Sequence, residues 1–300
     1  MNPVTTDQEP STSPRILITG ASRGTGLAAA GQLAASGVEV VMVSRDPDRG
    51  AAARDRVAAV ASGPEPSYLA ADLSSLDSVR DLAERLRQRF DYLDVLINNA
   101  GTASGRRVLT VDGFERAFAV NHLAPFLLTQ LSLDLLLAVP AARVVNTVSE
   151  THSGRLDFDN LQGERRYGFF SAYARSKTAN ILFTYELARR LEGTGITSNC
   201  FTPGPTATDF GRGLGGFAGV MGGLMRVIGK PADKGARTAV YLATSPDMEG
   251  VTGKYFYRGR TARSKRITYD REVAARLWAV SEQLTTPGRE TTQQIQEVVR

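Results

Sequence analysis

The 300-residue chain is 42% apolar, carries a formal net charge of +5, and contains one cysteine and two histidines. One cysteine excludes an internal disulfide framework, His122 and His152 are too few for a convincing metal site, and no run reaches the ~18 apolar residues needed to span a bilayer. The basic residues are scattered among acids except in Arg258 to Arg271, so the expectation is a soluble protein of a reducing, cytoplasmic compartment with no nucleic-acid partner.

Residues 1 to 14, rich in Thr, Ser, Pro and acids, read as a disordered tail. Ile16 to Thr19 is a short apolar strand without polar alternation, as expected of a parallel sheet covered on both faces. Glycines follow at Gly20, Gly24 and Gly26, and an Ala-rich helix runs from Leu27 to Ala35. A strand, a glycine turn and a helix start make a cradle for a diphosphate: the backbone can approach closely, and the free N–H groups and positive dipole end of the helix face the anion. Val38 to Val43 is a second strand ending at Ser44-Arg45-Asp46, followed by a helix from Pro47 to about Ala61. Ser67 to Ala71 is a third strand closed by Asp72-Leu73, and Ser75 caps a helix reaching Phe90.

Leu93 to Ile97 is a fourth strand followed by Asn98-Asn99-Ala100-Gly101, and a long helix is expected from Val111 to Leu137 with a break near Pro125. Arg143 to Val148 is a fifth strand, Ala172 to Leu191 a helix, and Thr197 to Phe201 a sixth strand leading to Pro203-Gly204. Ala232 to Ala243 is helical, Gly253 to Tyr257 a seventh strand, and Arg271 to Leu284 a closing helix; the last fifteen residues read as loosely held. Strands alternating with helices predict an α/β fold, one doubly wound parallel sheet of about seven strands with helices on both faces. With no linker and no internal repeat, one domain over residues 15–285 is enough.

In such a sheet, ligands bind at the carboxyl ends of the strands where the winding reverses. The unusual polar residues fall there: Asn99 after strand four, Ser149 after strand five, Pro203-Gly204 after strand six. Tyr173 and Lys177 are four residues apart on one helix and face the same way. A free phenol has a pKa of about 10, and a neighbouring ammonium is expected to pull it toward neutrality, making an acid–base couple. Ser149 can donate a hydrogen bond to a carbonyl oxygen held against that phenol.

These motifs together resemble the short-chain dehydrogenase/reductase family. Thr19-Gly20-x-x-x-Gly24-x-Gly26 matches its cofactor turn, Asn98-Asn99-Ala100-Gly101 its strand-four motif, Ser149 with Tyr173-x-x-x-Lys177 its catalytic set, and Pro203-Gly204 its strand-six motif. Asn121 stands where that family places a fourth catalytic residue. Asn121 to Thr129, the helix from Ala172, Gly253-Lys254-Tyr255-Phe256 and Arg276-Leu277-Trp278 narrow the likeness to its retinol-dehydrogenase-like branch. The resemblance implies a Rossmann-type fold and interconversion of a carbonyl and an alcohol, with a small-molecule substrate and a homodimer as an option. It implies that Tyr173 transfers the proton and Ser149 orients the oxygen. Lys177 would hold the nicotinamide ribose, and Asn121 would position Lys177 through water. The implied cofactor contacts are Gly20, Ser22, Arg23, Gly24, Thr25, Gly26, Ser44, Arg45, Asp72, Leu73, Asn99, Ala100, Gly101, Tyr173, Lys177, Pro203 and Gly204. Two departures are visible: Thr25 replaces an aliphatic residue in the turn, and Glu150 follows the single candidate serine. The alternative, a dinucleotide-binding regulator without turnover, would be expected to lack the Tyr, the Lys or the Ser; this chain keeps all of them.

Two finer expectations follow. An NAD-selective site carries an acid at the end of strand two, whereas this chain has Ser44 and Arg45 there and Arg23 in the glycine turn, a pair of guanidinium groups suited to the 2′-phosphate of NADP(H). Residues 204–230 combine glycines with Leu214, Phe217, Met221, Leu224 and Met225, and read as a substrate flap that favours a bulky apolar aldehyde or ketone.

Overall fold

The computed structural model describes residues 13–204 and 232–287. The two expected tails lie largely, and the expected flap almost wholly, outside the described residues. Eight strands form one sheet in the order β3-β2-β1-β4-β5-β6-β7-β8. They are β1 (Arg15–Thr19), β2 (Glu39–Ser44), β3 (Ser67–Ala70), β4 (Val95–Asn98), β5 (Arg143–Thr147), β6 (Thr197–Thr202), β7 (Tyr255–Tyr257) and β8 (Arg260–Ala262). Strands β1 to β7 are parallel, and β8 returns antiparallel beside β7. The helices are α1 (Gly24–Ala35), α2 (Pro47–Ala58), α3 (Leu76–Arg89), α4 (Arg116–Phe118), α5 (Ala124–Leu131), α6 (Leu133–Leu137), α7 (Phe169–Arg190), α8 (Ala232–Thr244) and α9 (Arg271–Thr285).

Continuous apolar runs make the central strands because both faces of the sheet are covered. Ile16 and Ile18 of β1 join one core with Leu33 of α1 and Leu242 of α8, while Leu17 between them joins the other with Leu82, Phe126 and Leu182. Burying each such side chain is worth roughly 1.5–3 kcal/mol. The second core is closed by α9, whose Trp278 meets the rings of Phe126 and Phe183 at 5.0 and 5.9 Å.

Two elements differ from the sequence-based expectation. The eighth strand is additional: Arg258 and Gly259 have φ of 53° and 75°, as a two-residue type I′ hairpin needs. Because β8 is exposed throughout, no apolar alternation announces it. The long helix expected from Val111 begins at Arg116 instead, capped by the Glu115 carboxylate, which accepts the N–H groups of Ala117 and Phe118 at 2.9 Å each. It opens into a π turn over Ala119–Leu123. Pro125 has no N–H for the carbonyl of Asn121, and the wider turn absorbs the missing bond, so no break occurs there. The break falls at Ser132, with φ −106° and ψ 7°, between α5 and α6. Among the described residues, no helix is long and apolar enough to cross a membrane.

Candidate active site

Strand β1 pairs with β2 on one side and β4 on the other, so the winding reverses between β1 and β4 and leaves a crevice at their carboxyl ends. Thr19 Oγ1 accepts the N–H groups of Asn99 and Ala100 at 3.0 and 3.1 Å, and Asn99 Nδ2 donates to the Thr19 carbonyl at 2.9 Å. This latch holds the glycine turn against the β4 motif. Gly20 and Gly24 adopt φ of 68° and 56°, and a Cβ on Gly20 would lie 2.8 Å from Ala100 Cα. A Cβ on Gly26 would collide with the Gly20 carbonyl and the Asn99 amide. Helix α1 starts at Gly24 without a side-chain cap, so its first N–H groups are available to an anion at the turn, with Ser22 and Arg23 beside it and Thr25 buried behind. These features fit the diphosphate of a dinucleotide.

At the end of β2, Ser44 is buried and Arg45 is exposed, as is Arg23. Asp46 is the acid that could compete for a ribose, but its carboxylate caps α2 by accepting the Arg49 N–H at 3.0 Å and pairs with the Arg49 side chain at 3.3 Å. Tyr68, which sequence reasoning missed, places its hydroxyl 3.0 Å from the carbonyl oxygens of both Ser44 and Asp46. Its ring fills the space that a side chain at Gly50 would need. The only sequence signal was a glycine inside the first turns of α2. After β3, the Asp72 carboxylate accepts the N–H and hydroxyl of Ser74 at 2.9 and 2.7 Å, and Leu73 is buried. After β6, Gly204 takes φ 74° and donates its N–H to Thr202 Oγ1 at 3.4 Å, following Pro203.

The fold brings Ser149, Tyr173, Lys177 and Asn121 together. Ser149 stands two residues past β5, and its Oγ accepts the Thr151 N–H at 3.1 Å. Tyr173, half-buried on α7, hydrogen-bonds with that Ser149 hydroxyl. Lys177, one turn on, is buried; its Nζ donates to the Thr147 carbonyl at 3.0 Å and lies 5.8 Å from the centre of the Tyr173 ring. Gly101 faces this group: a Cβ there would be 3.5 Å from both Lys177 Nζ and Asn121 Oδ1. Asn121 is buried in the π turn and clamps Thr102, accepting its N–H at 2.7 Å and donating to its carbonyl at 2.9 Å, with a second Nδ2 bond to Ser176 Oγ at 2.9 Å. Its side chain therefore fixes the Gly101–Thr102 backbone and the residue preceding Lys177 directly.

The electrostatics differ from the expectation that Lys177 draws the Tyr173 phenol toward neutrality. Burial pushes the phenol up to about 12, opposed by the Ser149 hydrogen bond. Burial also holds the Lys177 ammonium down to about 8. Desolvation dominates both shifts.

The short chain dehydrogenase family model matches residues 14–215. Human retinol dehydrogenase 14 is 41% identical over 285 residues, spanning 89% of this chain and 84% of its own length. DnrU of Streptomyces sp. (strain C5), provisionally named a daunorubicin C-13 ketoreductase, is 41% identical over 270 residues, spanning 89% and 90%. The crystal structure of an uncharacterised protein from Mycobacterium Paratuberculosis superposes with a TM-score of 0.72 at 35% identity, covering 92% of this chain and 95% of that one. A short chain dehydrogenase from Burkholderia cenocepacia, solved in complex with NADP, gives 0.63 at 30% identity over 81% and 95%. The chain belongs to the short-chain dehydrogenase/reductase family, in its retinol-dehydrogenase-like branch, and is an NAD(P)-using oxidoreductase of alcohol and carbonyl groups.

Proposed function

We propose that the protein interconverts a lipophilic aldehyde or ketone and its alcohol with NADP(H), Tyr173 carrying the proton. The observation that carries this reading is the convergence of the Ser149 and Tyr173 hydroxyls and the Lys177 ammonium at the carboxyl ends of β4 and β5, beside the bare Cα of Gly101. The Thr151 N–H occupies one lone pair of Ser149 Oγ, and the Ser149 hydrogen, directed at the Tyr173 phenol in the absence of substrate, can turn to a substrate oxygen held between the two hydroxyls. Tyr173 gives its proton to that oxygen in reduction and takes it back in oxidation. Lys177 would bind the ribose hydroxyls, and the bound dinucleotide supplies or accepts the hydride. The lipophilic substrate class draws support from the relatives: retinol and daunorubicin each present the reacting oxygen on a large carbon framework. Following NADPH absorbance against aldehydes and ketones graded by size and polarity tests it. kcat/KM should rise with apolar chain length, and a preference for short polar carbonyls would overturn the assignment.

The choice of NADP(H) is supported by the β2 end, where Asp46 is occupied as a helix cap while Arg23 and Arg45 remain exposed. Replacing Arg45 by Asp is expected to lower the NADPH-to-NADH ratio of kcat/KM by about tenfold or more, the worth of one hydrogen bond to a charged group (~1.5–3 kcal/mol). Kinetics with both cofactors check this; an unchanged ratio would remove Arg45 from the site.

A further inference from the structure

We infer that His152 is a positioning residue for Ser149, acting as a neutral imidazole clamped between the Ser149 carbonyl and the backbone of Lys265. The inference rests on the reading of Ser149 given above. His152 is buried and lies three residues beyond Ser149, in the segment that leaves β5. Its Nδ1 is 2.8 Å from the Ser149 carbonyl oxygen, and its Nε2 is 3.0 Å from the Lys265 backbone nitrogen. A backbone N–H can only donate, so Nε2 must offer its lone pair; Nδ1 therefore carries the hydrogen and donates to Ser149. One neutral tautomer satisfies both contacts, whereas the protonated ring keeps the Nδ1–H bond to Ser149 but loses the other, because it would set an N–H against the Lys265 N–H.

Both partners of the ring are themselves anchored. On the far side, Tyr185 and Ser264 hydroxyls meet at 2.9 Å and Ser264 and Thr268 hydroxyls at 2.6 Å, which fastens the Lys265 segment to α7. On the near side, Thr178, the residue after Lys177, accepts the Ser153 N–H at 2.7 Å and donates to the Ala174 carbonyl at 2.8 Å. The loop that carries Ser149 is thus held at Ser153 by the helix that carries Tyr173 and Lys177, and at Ser149 itself by His152. Removing the second hold leaves the Ser149 backbone free to drift from the phenol, and a displacement near 1 Å can cost a reaction about 10²-fold.

The charged and titratable groups around the ring all bear on its protonation. Lys265 lies across it and donates its ammonium to the His152 carbonyl, Glu150 lies on the same loop, and Tyr255 of β7 faces it with ring centres 5.9 Å apart. Burial and the Lys265 charge hold His152 below its ordinary range, against the pull of Glu150 and of the Ser149 carbonyl. Both contacts are accordingly intact at neutral pH, and protonation in acid breaks the one to Lys265.

Asn and Gln separate the two contacts, since Asn reaches as far as Nδ1 and Gln as far as Nε2. His152→Asn should keep the Ser149 bond and retain kcat within about threefold; His152→Gln should keep only the Lys265 bond and lose kcat by about tenfold or more, with the NADPH Kd unchanged. Equal activity in both variants, whether high or low, would overturn the inference. The wild-type protein provides a second readout that needs neither a variant nor turnover. It has only two histidines, and burial pushes His122 down to about 3, so nitrogen-15 NMR on histidine-labelled protein should show the first ring to titrate in acid as a neutral Nδ1–H tautomer at pH 7. An Nε2–H tautomer or a charged ring at pH 7 would overturn the clamp, whereas full activity in Ser149→Ala with the NMR result upheld would overturn only the role of Ser149.

Discussion

Replacing Tyr173 by Phe is expected to lower turnover by about 10²–10⁴ while NADPH still binds. The substitution keeps the ring, and with it the packing of a half-buried position on α7; it removes only the hydroxyl that shares a hydrogen bond with Ser149. Burial holds this phenol near 12, which makes it a proton donor at every pH in the working range. The two directions should therefore respond differently to pH. Reduction uses the protonated phenol and should stay nearly flat between pH 6 and 8, whereas oxidation uses the phenolate and should speed up as pH rises. Steady-state rates in both directions across pH 6–9, with cofactor binding followed by fluorescence, check both statements. A Phe variant with near-normal kcat would move the proton to another group.

How much of this site could be read in the chain depends on whether a residue acts through its own side chain or through what surrounds it. Gly26 and the Tyr173–Lys177 spacing were legible because each is required by a local geometric demand: a backbone approach that admits no Cβ, and one helical turn between two functional groups. The order of apolar strands was legible for the same reason, since β1 and β2 carry their burial on both faces. Strand β8 was not, because three exposed residues leave no periodic trace. The π turn around Asn121 was not, because a proline inside a helical pattern signals a break equally well, and only the neighbouring contacts decide that the turn widens instead. His152 entered only as one of two histidines too few for a metal site, because the partner that fixes its tautomer, Lys265, lies more than a hundred residues along the chain. The direction of the Tyr173 shift was misread because spacing reveals a charge partner but not how much water the fold removes from both groups.

That removal of water leads to the second large effect. Lys177→Met is expected to cut turnover by at least about 10²-fold and yet to leave the nucleotide-free protein as stable as the wild type, or more so, at pH 7. Lys177 is buried, and its ammonium donates to the Thr147 carbonyl at 3.0 Å; among the described residues no carboxylate compensates it. Its pKa falls to about 8 in spite of that bond, so the charged form is a net cost to the fold. Met fills a similar volume without the charge, and the flexible thioether adapts to the space. The sign with pH follows from proton counting. Between pH 8 and about 10.5, the unfolded chain keeps the lysine protonated while the folded chain has lost that proton, so U binds more protons than N and stability rises with pH across that window. Below pH 8 both states hold the proton and the cost is paid in full. Denaturant unfolding of both proteins from pH 7 to 10 should therefore show a rising contribution in the wild type that is missing in Lys177→Met. If the variant instead unfolds several degrees earlier at pH 7 with the wild-type pH slope intact, the Lys177–Thr147 bond stabilises more than burial costs, and the lysine is kept for the fold as well as for the chemistry.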